Sequence, residues 1–235
     1  MIKAIFFDWF NTLARYEPPR EELQSQVLQE FGFDVSPQKI ISGLLLADKD
    51  YLDENAVSPV LKRSQEEQEQ VFIRYQKTIL REAGINIPEE SDLLLKIIKR
   101  SQQLIQGISF VLFDDVITTL QALKEKSLTL GLLTNLDKDM APICNDLGLE
   151  PYLDFTVTSL EAKADKPNPA IFMMALDKAR VNASEVVHVG DQYNTDVIGA
   201  RGVGISPILI DRNDLQPEFN GCPRINSLTE VINYI

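Results

Sequence analysis

Histidine occurs once, as His188, and cysteine twice, as Cys144 and Cys222, in the 235 residues of the chain. That scarcity excludes a zinc site, which needs several such ligands at close spacing. It also leaves no disulfide framework: two cysteines this far apart are expected as small buried apolar residues, as in a reducing cytosol. Basic residues are in short supply as well, with 23 Lys and Arg against 35 Asp and Glu. The resulting net charge of −12 repels a phosphate backbone or an anionic lipid surface, so neither nucleic acid nor a membrane is an expected partner. No apolar run approaches the length needed to cross a bilayer. No basic segment with a cleavage site precedes the first strand-like run, Ala4 to Phe7, and a cytoplasmic protein is therefore expected.

What the chain does have is apolar material, 44% of its residues, enough for a full core and a second, smaller domain. The run Ile5-Phe6-Phe7 is short and unalternating, as a strand covered on both faces must be. Similar runs recur at Leu128 to Leu133, Phe155 to Thr158, Val186 to Val189 and Pro207 to Ile210, with amphipathic helices between them over Asp115 to Lys126 and Lys138 to Leu147. Strand alternating with helix predicts an α/β fold with a doubly wound parallel sheet. Between Tyr16 and Gly107 no clear strand run appears. Val71, Tyr75, Ile79 and Leu80 lie on one face of a helix expected over about Val60 to Glu82, and Leu93, Leu94, Ile97 and Ile98 form a second stripe. These stripes read as bundle core and Glu66 to Glu69 as a solvated face. The expected organisation is a core of residues 1–15 and 108–235 with an all-helical insert over 16–107. Ser227 to Glu230 matches a capping box before a short last helix.

Ligands of an open parallel sheet bind beyond the carboxyl ends of its strands, so the polar residues that end each run should converge. They are Asp8 with Asn11 and Thr12, Thr134 with Asn135, Lys166 in Asp165-Lys166-Pro167, and Asp191 with Asp196 beyond it. Each alone has an ordinary structural role as a turn opener, a cap or a loop cation. A small anionic substrate is compatible with the acidic chain only if backbone N–H groups, a lysine and a metal concentrate positive charge locally.

In this order the residues resemble the four motifs of the haloacid dehalogenase-like hydrolase superfamily. Phe6-Phe7-Asp8-Trp9-Phe10-Asn11-Thr12-Leu13 is similar to the first, Leu132-Leu133-Thr134-Asn135 to the second, Lys166-Pro167-Asn168-Pro169 to the third, and Val189-Gly190-Asp191-Gln192-Tyr193-Asn194-Thr195-Asp196 to the fourth. The resemblance implies that Asp8 is a nucleophile towards phosphorus and forms an aspartyl phosphate that water hydrolyses. It further implies that Thr134 and Asn135 contact the phosphoryl group and that Lys166 neutralises charge. The metal, Mg2+, would be held by Asp8, the Phe10 carbonyl and Asp191, with Asp196 behind them. Hard oxygen donors of this kind suit magnesium. The implied partner is a small phosphorylated molecule. The insert resembles the superfamily's first class of helical cap, a lid that excludes water and selects the leaving group. Arg15, Tyr16 and Phe113 to Asp115 are candidates to line its entrance.

One position departs from the pattern. The superfamily's phosphatases carry a second aspartate two residues after the nucleophile as general acid and base, and here that residue is Phe10. Loss of positioned proton transfer costs about 10² to 10⁴ in rate, roughly 3 to 5.5 kcal/mol. The superfamily's dehalogenases also have an aromatic residue there, but they work without metal and lack the Gly-Asp that this chain keeps at Gly190-Asp191. A 2-haloacid dehalogenase and a slow or non-catalytic metabolite-binding descendant are the two alternatives. Trp9 and Phe10 are expected to pack, and His188, inside a buried strand run, to be a satisfied core histidine.

Overall fold

In this computed structural model the described residues are 1–60, 63–88, 91–105, 109–214, 218 and 220–235, without the side chain of residue 56. The chain divides into two compact units, one of Met1–Arg15 with Val111–Ile235 and one of Tyr16–Phe110. The expected second boundary, at 107/108, lies outside the described residues.

The first unit is built on β1 (Ala4–Phe7), whose side chains are all buried. Two short strands follow the chain's passage between the units, β2 (Ala14–Glu17) and β3 (Ser109–Leu112), paired as a separate two-stranded sheet. Neither was read from the sequence, because four residues with at most one buried position leave no alternation to detect. Beyond β3 come β4 (Thr129–Thr134), β5 (Phe155–Thr158), β6 (Val186–Gly190), β7 (Ser206–Ile210) and β8 (Arg224–Ile225). The six-stranded sheet has the order β5-β4-β1-β6-β7-β8, and every pairing is parallel. This is the doubly wound Rossmann-like α/β core expected. After β1 the sheet grows one way through β4 and β5, then the other way through β6, so the order reverses at β1 and opens a crevice at its carboxyl end. The expected strands are all present, each within one residue of its expected bounds, and the two-residue β8 is added at the edge.

Phe6, Leu133, Val157, Ile171 and Phe172 belong to one buried cluster, with Phe6 edge-on to Phe155 at 5.6 Å between ring centroids. Gly131 is required in β4 because a Cβ there would lie 2.4 Å from the Phe155 ring. The helix expected over Asp115 to Lys126 forms as Val116–Glu125. The one expected over Lys138 to Leu147 is shorter, Ala141–Asp146, because the Asp139 side chain accepts from Ala141 N and opens the helix there. The capping box of Ser227 and Glu230 is present, but the residues it caps, Leu228–Tyr234, wind as a 3₁₀ helix rather than an α-helix.

In the second unit α1 (Arg20–Glu30), α2 (Pro37–Val57), α3 (Gln65–Glu82) and α4 (Asp92–Ile105) bury Leu28, Ile40, Ile79, Leu94 and Ile97 in a common core. The stripes read from the sequence lie in α3 and α4. Helix α3 starts at Gln65 rather than near Val60, since Ser64 caps it and Glu67 closes the box, so Glu67 is more than a solvated acid. Residues 61 and 62 of the longer helix expected lie outside the described residues. At Gly43 of α2 a Cβ would stand 2.9 Å from the backbone of Ile79, so the two helices approach too closely for any larger residue. No helix among the described residues is long and apolar enough to cross a membrane.

Candidate active site

Of the polar residues at and after the strand ends, Asp8, Asn11, Asn135, Lys166, Asp191 and Asp196 meet. Asp8 directly follows β1, and its N–H continues the parallel ladder by donating to Val189 O at 2.8 Å, beside the start of the fourth motif. After it the chain folds back at once: Leu13 N and Ala14 N both donate to Trp9 O, and Asn11 takes a φ of 58°. Asparagine tolerates this left-handed conformation better than most residues. The turn delivers Asn11 Nδ2 to Asp191 Oδ2 at 3.2 Å. Gln192 Nε2 donates to the same oxygen at 2.9 Å.

Lys166 has its ammonium inside the protein, only 3% exposed, donating to Asp8 Oδ1 at 2.5 Å and Asp196 Oδ1 at 2.6 Å. Its backbone is clamped by Asn135, whose Oδ1 accepts from Lys166 N at 2.6 Å and whose Nδ2 donates to Lys166 O at 3.1 Å. The amide expected to meet a substrate is thus engaged in holding the lysine. Thr134, at the end of β4 and buried, accepts at Oγ1 from Leu136 N at 3.2 Å, which leaves its hydroxyl hydrogen for another acceptor.

Asp196 sits in a π-helical turn, Tyr193–Val197, and points back under β6. A Cβ at residue 190 would lie 2.2 Å from its Cγ, so Gly190 is what lets this carboxylate in. Its Oδ2 accepts from Gln192 N at 3.1 Å and its Oδ1 is within 3.0 Å of His188 Nε2. His188 is fully buried, as expected of a core histidine, yet it braces a site carboxylate, a role missed in the sequence. A lone titratable residue in an otherwise apolar strand was the available signal.

Asp8, Asp191 and Asp196 each offer an oxygen within 4.8 Å of the others, an arrangement able to hold a metal ion. At that separation two like charges repel by about 3 kcal/mol even at an effective dielectric of 20, and three carboxylates face one ammonium. The titration behaviour follows. Burial, opposed by Lys166 and reinforced by Asp196, raises Asp8 to about 6. Asp191 is pushed well above the ordinary carboxylate range by burial and by the charges of Asp8 and Asp196. Burial also works against the charge of Asp196, but Lys166 and His188 hold it far below that range. Burial depresses His188 despite Asp196, and its Nε2, facing a carboxylate oxygen, carries the hydrogen and donates. Burial opposes the ammonium of Lys166 too, yet Asp196 and Asp8 keep it above the usual lysine value. The cluster therefore lacks positive charge beside Asp8 and Asp191, where a divalent cation with a taste for hard oxygen donors fits. Phe10 is half-buried and bridges to Ala14, while Trp9 is wholly enclosed, consistent with packing.

A second element was missed. Arg212, just past the carboxyl end of β7, donates to Asp115 through Nη1 and Nη2, both at 3.0 Å, and to Thr12 O through Nη2 at 2.7 Å and Nε at 3.2 Å. Its guanidinium stacks 3.9 Å from the centre of the Phe113 ring. Asp115, a candidate for the entrance, is engaged inside the unit, since it also accepts from Ser227 Oγ and Leu228 N, each at 2.8 Å. Arg15 lies over Phe113 at 5.9 Å, and Tyr16 stacks on Phe110 at 5.1 Å. The strand-end rule that found Asp8 applies to Arg212 as well. Both cysteines are free, and burial raises the Cys144 thiol to about 11.

Comparison with known proteins gives a consistent picture. A family model described as a haloacid dehalogenase-like hydrolase matches residues 2–204. The chain is 29% identical over 216 residues to the haloacid dehalogenase-like hydrolase domain-containing protein 3 of Danio rerio, covering 92% of this chain and 87% of that protein. Bovine, mouse and human proteins of that name are matched over half their length or less. It is 25% identical over 219 residues to a ribulose-1,5-bisphosphate 5-phosphatase of Halopiger xanaduensis, covering 91% and 87%. Among solved structures it is similar to a 2-haloacid dehalogenase from Pseudomonas syringae pv. Tomato, with TM-score 0.56, 26% identity and coverage of 99% and 97%.

Because Arg212 satisfies Asp115 and a backbone carbonyl of the nucleophile loop together, Arg212→Ala should lower unfolding free energy by about 2–4 kcal/mol. Arg212→Lys, which keeps the charge but not the planar fork, should fall between. Urea unfolding followed by circular dichroism measures both, and equal stability of all three proteins would contradict the assignment.

Proposed function

The chain belongs to the haloacid dehalogenase-like hydrolases, and from that membership we propose that it is a magnesium-dependent phosphatase acting on a small phosphorylated molecule through an aspartyl-phosphate intermediate. The observation that supports this most is the cluster of Asp8, Asp191 and Asp196, with the buried Lys166 ammonium paired to Asp8 and Asp196. A reaction that joins a carboxylate to a phosphate monoester must bring anions together, and this cluster offers one positive side chain and a seat for a divalent ion. When bound, the ion neutralises charge on the attacking and transferred oxygens.

In the proposed cycle Asp8 attacks phosphorus, the bond to the leaving oxygen breaks, and the alcohol departs with a proton taken from solvent. Lys166 keeps Asp8 ionised and meets the phosphoryl oxygens, and the Thr134 hydroxyl donates to one of them. Asp8 and Asp191, with the Phe10 carbonyl, would hold the ion, and Asp196 would fix Lys166. Water then cleaves the phosphoryl group from Asp8 and releases inorganic phosphate. The insert would act as the cap. The relative named as a ribulose-1,5-bisphosphate 5-phosphatase adds weight to phosphorus as the centre attacked. Phe10 favours a second reading, displacement of halide from a 2-haloacid, which the similarity to a dehalogenase structure keeps in view. A retained Asp191 argues against it, since attack on carbon has no use for a metal seat.

Purified protein should release phosphate from p-nitrophenyl phosphate, whose leaving group needs no proton, in the presence of magnesium and not with chelator, and Asp8→Asn should abolish it. Halide release from 2-chloropropionate that resists chelator would instead establish the dehalogenase. With an alkyl phosphate as substrate, Phe10→Asp should raise turnover, up to about 10²-fold or more, by restoring a positioned acid. An unchanged rate would mean that residue 10 does not face the leaving group.

Magnesium binding should also depend on pH. Asp8 has a folded pKa raised from 3.8 to about 6, so in the metal-free protein its contribution to stability is present below the unfolded value and is lost as pH rises through about 6. Magnesium binds the ionised form, so the gain in Tm that it gives should be small near pH ~5 and grow as pH passes through about 6. Differential scanning calorimetry with magnesium and with chelator measures this, and a gain that shrinks over the same interval would refute it.

A further inference from the structure

The helical unit contains a cavity of about 270 Å³ between α1, α2, α3 and α4. A single water needs only about 10–15 Å³, and small-molecule sites begin near 300 Å³. Its walls are largely apolar, with Leu23, Val27, Leu44, Ile79 and Ile98 among them. Two glutamines also line it, Gln24 of α1 at 6% exposure and Gln76 of α3 at 4%. Ser101 Oγ donates to Gln24 Oε1 at 3.1 Å, but neither Gln24 Nε2 nor Gln76 Nε2 has a hydrogen-bond partner. A buried amide without an acceptor costs about 1–3 kcal/mol, and here two stand on different helices around one space.

The charged groups of the cavity decide what could occupy it. Arg20 and Asp48 are the charged residues of its lining, and they satisfy each other. Arg20 Nη1 reaches Asp48 Oδ1 at 3.0 Å, Nη2 reaches Oδ2, and Tyr75 OH donates to Asp48 Oδ1 at 2.6 Å. An anion entering would find the guanidinium already engaged and a carboxylate beside it. A cation would find that carboxylate already holding three donors. A neutral molecule meets neither penalty, and the unmatched groups are N–H donors that want an acceptor.

We infer that this cavity binds a small neutral, mainly apolar molecule bearing a carbonyl oxygen, which accepts from Gln24 and Gln76. The site lies wholly within the helical unit and does not depend on the hydrolytic reading of Asp8, so its test leaves that reading untouched. Full-length protein labelled with 15N is titrated with heptan-2-one, with sodium heptanoate as the charged counterpart of similar chain length, and the side-chain amide signals of Gln24 and Gln76, assigned from Gln24→Leu and Gln76→Leu, are followed. Heptan-2-one should shift both signals saturably and heptanoate should not. In Gln76→Leu the ketone's dissociation constant should rise about fivefold to tenfold, the effect of one hydrogen bond. Ile98→Trp, which fills the cavity and leaves both amides in place, should abolish the saturable shift. The inference fails if the ketone gives no saturable shift, if heptanoate matches it, or if a folded Ile98→Trp protein binds the ketone unchanged.

Discussion

A single ammonium, that of Lys166, lies between two carboxylates in a place almost closed to water. Burying that charge alone would be prohibitive, and burying Asp8 and Asp196 without it equally so. Each group is tolerable only because the others are there, and so the carboxyl end of β1, the loop before the helix Pro169–Ala179 and the turn after β6 are held to one geometry. Supporting contacts serve the same end. Asn135 fixes the lysine's backbone, Gly190 leaves room for Asp196, and His188 braces that carboxylate from within the sheet.

The same arrangement is electrostatically incomplete. One cation against three carboxylates leaves Asp8 and Asp191 resisting ionisation. A chain with a net charge of −12 thus has its strongest demand for positive charge at the point where its strands converge. Proteins that keep such an imbalance generally do so where an ion or substrate is to be bound. Phe10 sets the other boundary on the chemistry: the site can position charge, but residue 10 cannot supply a proton.

The helical unit shows that unmatched polarity can arise without charge. Arg20, Asp48 and Tyr75 close on one another, while the amides of Gln24 and Gln76 are buried without acceptors. Gly43, which brings α2 hard against α3, makes one part of the bundle tight while a space persists elsewhere in it.

The sheet was legible because its strands are buried on both faces and read as continuous apolar runs, and the order of polar residues after them resembled the superfamily motifs closely enough to propose Asp8, Thr134, Lys166 and Asp191 as a set. Short or half-exposed elements such as β2, β3 and β8 left no such pattern, and the start of α3 was misjudged because a Ser64–Glu67 box, not the apolar stripe, sets it. Sequence alone determined the fold class and which residues end each strand, since both follow from local periodicity. Only the tertiary structure decided which partner each of them takes: that Asn135 serves the lysine, that His188 serves Asp196, and that Arg212 ties Thr12 to Asp115 across 200 and 97 residues of chain. Those choices depend on through-space distances between remote segments, which no local pattern encodes.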